Sequence, residues 1–471
     1  METIQQRIFT RSSFELAYRF PKIKMSELRD YYPPELANRF FDTLTIQKSL
    51  SKILIDVPTA VLQILFALIL LSFYHPFFII FGILLLILIF IVFKFTAIKG
   101  LETSLKESKN KYRVAHWIQE IARSVISFKL SGSTSLAINK NDDLVHDYLK
   151  ARESHFKILM LQFIQMISFK VIVTASLLLI GGALVLNQEM NIGQFVAAEI
   201  IIILVIASVE KLILGLESFY DTLTSLEKIG QIVDKDLESQ TGETPQLSKG
   251  INIELENVTY VVDNRDRHIL KDISLKINSK SRLLIKGESG SGKSTLLRLI
   301  AGVIEATGGH VYINDMSIYS LHLNFYRSQL GLSLSDETPF EGSIRDNLTF
   351  SNSNISDEKI YEILNIVGLK SFIKEQPEGL NTVLYPDGRQ MSYSLSKKIV
   401  LARAILKNPK VLILEDALDR FNRVETKSIV DYLSNPDRPW ALIVVSFSAV
   451  WTDKCNEIIT LEKGQIKSRN N

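Results

Sequence analysis

The nine residues Gly287-Glu288-Ser289-Gly290-Ser291-Gly292-Lys293-Ser294-Thr295 fit the pattern G-x-x-x-x-G-K-[ST]. Their chemistry is phosphate binding. Glycines let backbone N–H groups close around phosphate oxygens, and the positive end of a following helix adds favourable charge. In this pattern Lys293 reaches the β- and γ-phosphates, and the Ser294 hydroxyl completes a magnesium shell. A Gly/Ser-rich turn could match by chance, but the neighbours argue against it. Ser281 to Lys286 reads as a short buried strand, and Leu296 to Ile300 as the helix after it.

The elements that must carry this loop differ along the chain. From Ile53 to Phe95 nearly every residue is apolar, with a break at Tyr74-His75-Pro76. A second apolar pair runs from about Ile158 to Leu186 and from about Ile192 to Leu214, broken by Asn187 to Asn191. A helix needs about 20 apolar residues to cross a hydrocarbon core, so four membrane spans are expected. Soluble core helices rarely stay apolar on every face for this length. Hydrophobic residues make up 46 % of the 471, in keeping with that reading. Lys and Arg crowd the segments before Ile53 and between Phe95 and Ile158, whereas the two short turns carry none. The positive-inside rule therefore puts both termini and the middle segment in the cytoplasm. Lys99 to Lys157 reads as helical extensions of the spans, broken at Ser131-Gly132-Ser133-Thr134.

The polar stretch from Asp234 to Gly250 reads as a linker, and short β-rich runs alternate with helical ones after it. The expected division is a membrane domain at 1–235, a linker at 236–250 and a nucleotide-binding α/β domain at 251–471. A net charge of +3 points to no nucleic-acid partner, and the single Cys455 excludes an internal disulfide. Glu199 falls roughly 12 Å inside the last span, where a carboxylate must face the bundle or water; a pathway role and a packing role both stay open. Lys170 and the Glu210-Lys211 pair fall nearer the cytoplasmic boundary.

Membrane helices with cytoplasmic extensions, a linker, and a phosphate-loop domain containing Val411-Leu412-Ile413-Leu414-Glu415-Asp416 together resemble an ABC exporter half-transporter. The resemblance is nearest to exporters of peptides and small proteins, without their N-terminal peptidase domain. It implies an α-helical transmembrane bundle followed by an ABC-type α/β domain, with ATP and Mg2+ as cofactors. It also implies a second half-transporter chain as homo- or heterodimer partner, a periplasmic adaptor, membrane lipid, and the bacterial inner membrane. Family members have six spans per half. Gln5 to Arg11 resembles the cytoplasmic end of a second span, so either the reading frame starts one hairpin late or another polypeptide completes the transporter.

Residue by residue, the resemblance breaks at the chemistry. The family signature LSGGQ, which clamps the γ-phosphate of the opposite subunit, falls on Met391-Ser392-Tyr393-Ser394-Leu395. Ser392 matches, but both glycines are replaced. The magnesium-sensing Gln falls on Ser335, whose stem is too short to reach the same place. The family's metal-binding Asp and water-polarising Glu appear as Glu415 and Asp416, and its Thr-His as Ser446-Phe447. The adenine-stacking aromatic falls on Val262, with Tyr260 as a possible substitute. Nucleotide binding with reduced or absent hydrolysis is the expectation, because several orientation and charge effects are removed together. A non-hydrolysing scaffold, and a hydrolase working through Glu415 or Asp416, are the alternatives.

Overall fold

The computed structural model describes residues 1–247, 250–262 and 267–470. Within the expected linker, Ser248 and Lys249 lie outside the described residues. The chain divides into two compact units, Met1–Leu237 and Glu238–Asn471.

The first unit is helical. Its long helices are Asp42–Ser72, Phe77–Arg123, Leu136–Ser176 and Ile192–Val233. The third continues through a π-turn, Leu177–Gly181, into Gly182–Leu186. Among the described residues, four helices are long and apolar enough to cross a membrane. The breaks fall where the polar turns predict. Asn191 caps the last helix by accepting from the Gln194 N–H at 2.8 Å, and the Gln194 side chain returns the bond at 2.9 Å. Buried faces repeat every three or four residues, as in Ala198, Ile202, Val205, Val209 and Ile213, which pack with Ile64, Phe81 and Phe169. The opposite faces expose Phe66, Phe73, Ile80 and Leu179 at 63, 81, 69 and 75 %. That much bare apolar surface is a lipid-facing surface.

Several polar side chains pair between the helices, while Thr43 Oγ1 and Gln165 Oε1 are buried without a partner. Ser208 donates to Gln63 at 2.9 Å, Gln162 donates to the Tyr220 hydroxyl at 2.8 Å, and Lys170 meets Glu210 at 2.5 Å. Glu199 is half-buried. The N-terminal helix Glu2–Arg19 joins this unit through Gln5 to Ser51 and through Arg19 to the Val233 carbonyl at 2.8 Å.

The second unit is α/β. A six-stranded sheet runs in the order Gln465–Asn470, Glu457–Glu462, Arg282–Lys286, Ala441–Val445, Val411–Glu415, Leu330–Ser333. All neighbours are parallel except the first pair. Its central strands Val411–Glu415 and Ala441–Val445 are buried along their whole length, as a sheet covered on both faces requires. The register sets Val445 beside Ile285 and Glu415, and Leu414 beside Ser333, so the carboxyl ends of four strands meet at one edge. Open α/β sheets bind ligands at such an edge. A four-stranded antiparallel sheet, Arg267–Ile277, Ile253–Val262, Gly308–Ile313 and Met316–Ser317, covers one side.

Part of the segment read as a linker is folded onto this unit. Arg327 grips Glu238 with two bonds of 2.5 and 2.8 Å, and Glu243 bridges to Leu321.

Candidate functional site

The strand Arg282–Lys286 leads into the glycine loop and the helix Lys293–Ile300 leads out. Gly287 has φ +149°, and a Cβ there would stand 2.2 Å from the Leu461 carbonyl oxygen, so no other residue fits. At Gly290 (φ +80°) a Cβ would meet nothing within 4 Å. The loop is therefore tight against the protein on one side and open on the other. On the open side is a cavity of about 600 Å³, lined in part by Ser289, Gly290, Gly292, Lys293, Ser294 and Thr295. Of the other loop residues, Glu288 is exposed and Ser291 is buried under the turn.

Lys293 folds back over the loop, its Nζ donating to the carbonyls of Gly287 and Glu288 at 2.8 Å each. The Ser294 hydroxyl donates to Oε1 of Glu415, the last residue of its strand and only 3 % exposed. Oε2 of Glu415 accepts from the Ser335 N–H at 3.2 Å and the Ser335 hydroxyl at 3.0 Å. Sequence alone gives Ser335 too short a stem to reach the place of the family's Gln. In the structure the contact is made from the other side, because Glu415 is long enough to come to it.

Asp416 follows with φ +47°, a left-handed backbone that Asp tolerates better than most residues. Its Oδ1 is buried and unpaired. Burial, with Asp419 and Glu415 close by, pushes its carboxyl up to about 6, against the pull of Lys293. Phe447 lines the same cavity, 68 % exposed, with its ring centroid 5.4 Å from Lys293 Nζ. It offers no hydrogen bond.

Two expected residues lie elsewhere. Ser392 caps the helix Tyr393–Leu406 by accepting from the Leu395 N–H at 3.3 Å, and it does not line this cavity. Tyr260 does not line it either. It pairs across the sheet with Leu270, is 9 % exposed and belongs to the domain core. Strand alternation decides this: Val258 and Tyr260 share the buried face, so the Tyr260 ring is not available to a base. The residues that do reach the mouth of the cavity are Arg267, His268, Ile269 and Lys463. They carry no motif: Arg267 to Ile269 come from the strand whose register sets His268 opposite Val261, and Lys463 from the turn between Glu457–Glu462 and Gln465–Asn470.

A phosphate loop at the carboxyl edge of a parallel sheet, on a chain that also carries long apolar membrane helices, defines a membrane transporter with a nucleotide-binding domain. The family signature described as ABC transporter transmembrane region matches residues 23–209, and that described as ABC transporter matches 270–419. The chain belongs to the ABC transporters, as a half-transporter of the exporter type.

Among similar proteins is the toxin RTX-I translocation ATP-binding protein of Actinobacillus pleuropneumoniae, 31 % identical over 65 % of this chain and 42 % of its own length. The alpha-hemolysin translocation ATP-binding protein of Escherichia coli is 28 % identical over 61 % of this chain and 41 % of its own. These matches span less than half the length of either relative. The solved structure of a bacterial Atm1-family ABC exporter with ATP bound superimposes with a TM-score of 0.89, at 18 % identity, over 100 % of this chain and 83 % of that one. At that identity the likeness is one of fold.

Proposed function

We propose that the chain is an ATP-binding subunit of a membrane exporter, with reduced or absent hydrolysis of its own. ATP would lie against Gly287 to Thr295, with Lys293 on its phosphates, and Mg2+ would sit between Ser294 and Glu415. The donor set fits. Lys293 and Ser294 now rest on internal acceptors that they can exchange for phosphate oxygens and a cation, and Asp416 Oδ1 is a buried oxygen still without a donor. The cation would neutralise phosphate charge. The chain's own residues do the rest: the loop N–H groups orient the phosphates, Glu415 holds the Ser294 hydroxyl, and Asp416 is the carboxylate left to face water.

One observation carries the reduced-hydrolysis reading. The exposed side chain beside Lys293 is Phe447, which can neither orient water nor hold a phosphate oxygen. Ser392, outside its own chain's cavity, supports pairing with a second half-transporter whose nucleotide it would meet. The names of the toxin-translocating relatives support a role in translocation, and their bacterial sources support a bacterial membrane.

The test is binding and turnover of ATP by the full chain in lipid. Binding that Lys293→Ala weakens by about tenfold or more, with turnover well below about 1 per second, is expected. Turnover above that rate, abolished by Asp416→Asn, would refute reduced hydrolysis. Absence of binding would refute the whole reading.

A further inference from the structure

Lys397 is a lysine 2 % exposed, in the second turn of the helix Tyr393–Leu406, and it does not itself line the cavity. Its ammonium donates to three backbone carbonyls: Leu334 at 3.1 Å, Ser335 at 2.7 Å and Glu337 at 2.8 Å. All three donors are used, and all on one irregular stretch. The same helix holds that stretch a second time, through Arg403 to Glu337 at 3.1 Å. Burying an ammonium is costly unless every donor is satisfied, so a lysine placed this way fixes the backbone it binds.

What it fixes is Ser335. The N–H and hydroxyl of that one residue both point at Oε2 of Glu415, whose Oε1 holds Ser294. Two bonds from one residue to one oxygen fail together when its backbone moves. The contacts thus run unbroken from Lys397 through Ser335 and Glu415 to Ser294. Outer partners of this kind orient metal-binding groups, and losing one typically weakens metal affinity by 10- to 100-fold.

We infer that Lys397 is a positioning residue for the divalent-cation site, holding Ser335 so that Glu415 is fixed beside Ser294. This rests on the reading that the loop binds ATP with a cation. Ser392 caps the same helix, so the cation site and the surface offered to a partner's nucleotide share one rigid element.

The experiment uses the full chain in lipid, with Mn2+ as the probe, followed by electron paramagnetic resonance in the presence of a non-hydrolysable ATP analogue. Analogue affinity in EDTA is measured in parallel. Lys397→Met and Ser335→Ala are each expected to weaken Mn2+ binding about tenfold. The double variant should be no worse than the weaker single one, since both act on one contact path. In Lys397→Met, affinity for the analogue in EDTA should stay within about twofold of the unmodified chain, because the phosphate loop is untouched.

Unchanged Mn2+ affinity in Lys397→Met, or additive losses in the double variant, would overturn the inference while leaving nucleotide binding standing. If Lys397→Met does not fold, Lys397→Leu decides in its place: it is apolar and has no donor, and unchanged Mn2+ affinity there would also overturn the inference. An unmodified chain that binds no analogue even in EDTA would overturn the ATP reading and this inference together.

Discussion

If hydrolysis is weak because two side chains are the wrong kind, replacing both should restore it. The perturbation is Asp416→Glu combined with Phe447→His. Asp416 ends one methylene, about 1.5 Å, short of a glutamate at the same backbone position, and a misplacement near 1 Å can cost about a hundredfold in rate. A positioned general acid or base adds about 10²- to 10⁴-fold, and Phe447 supplies none. Both positions line the cavity. Phe447 is 68 % exposed, so a histidine disturbs no core, and Asp416 faces the cavity with its Oδ1 unpaired. The cost is at the backbone, where φ +47° suits Asp better than Glu by about 1 kcal/mol. Because groups acting on one step are not additive, little gain is expected from either change alone and about a hundredfold from the pair. Phosphate release by the full chain in lipid measures it, with Asp416→Asn/Phe447→His as the silent control. A double variant that binds ATP but turns it over within about twofold of the unmodified chain would refute the reasoning and move the block to Tyr393.

Three further outcomes are expected. The Asp416 carboxyl, raised from 3.8 to about 6 in the folded state, contributes stability when protonated; that contribution is complete below about pH 4 and is lost as pH rises through about 6. Asp416→Asn should flatten this part of the stability profile in thermal melts between pH 4 and 7, and an unchanged profile would contradict the raised value. Arg327→Met leaves Glu238, itself 10 % exposed, without its two-point partner, at about 3 kcal/mol and roughly 10 °C in the melting of the nucleotide-binding unit; Arg327→Met/Glu238→Leu should recover most of it. Gly287→Ala drives a methyl into the Leu461 carbonyl, so binding of a fluorescent ATP analogue should disappear while the membrane helices keep their circular dichroism.

The parts legible in the sequence are those whose signal is local. Apolar runs and the phosphate-loop spacing depend on neighbours along the chain, and polar turns such as Tyr74-His75-Pro76 and Asn187 to Asn191 fall between helices as written. The break at Ser124 and the π-turn at Leu177–Gly181 were not legible, since no Gly-Pro signal marks the first and the second sits in a uniform apolar run. At the site, what sequence missed is what distance in the chain hides. Lys397 lies 62 residues from Ser335, and Ser335 lies 80 from Glu415. Reading each position against a family pattern makes Ser335 and Glu415 two separate faults. Reading them in space makes one short and one long side chain that meet. Tyr260 failed for the opposite reason: its residue type suited a base, but strand alternation turns it inward.

The helix Phe77–Arg123 has 47 residues, or about 70 Å of rod at 1.5 Å per residue. A hydrocarbon core takes up only about 30 Å of that, leaving roughly 40 Å standing clear of the lipid. Such a rod is a lever with its fulcrum in the bilayer. A tilt of about 5° at the membrane swings the far end through roughly 3 Å, about the length of one hydrogen bond. Displacements too small to disturb side-chain packing among the spans thus become, at Trp117 and Arg123, large enough to make or break a polar contact, and a push at that end returns to the membrane as a correspondingly small rotation with greater force.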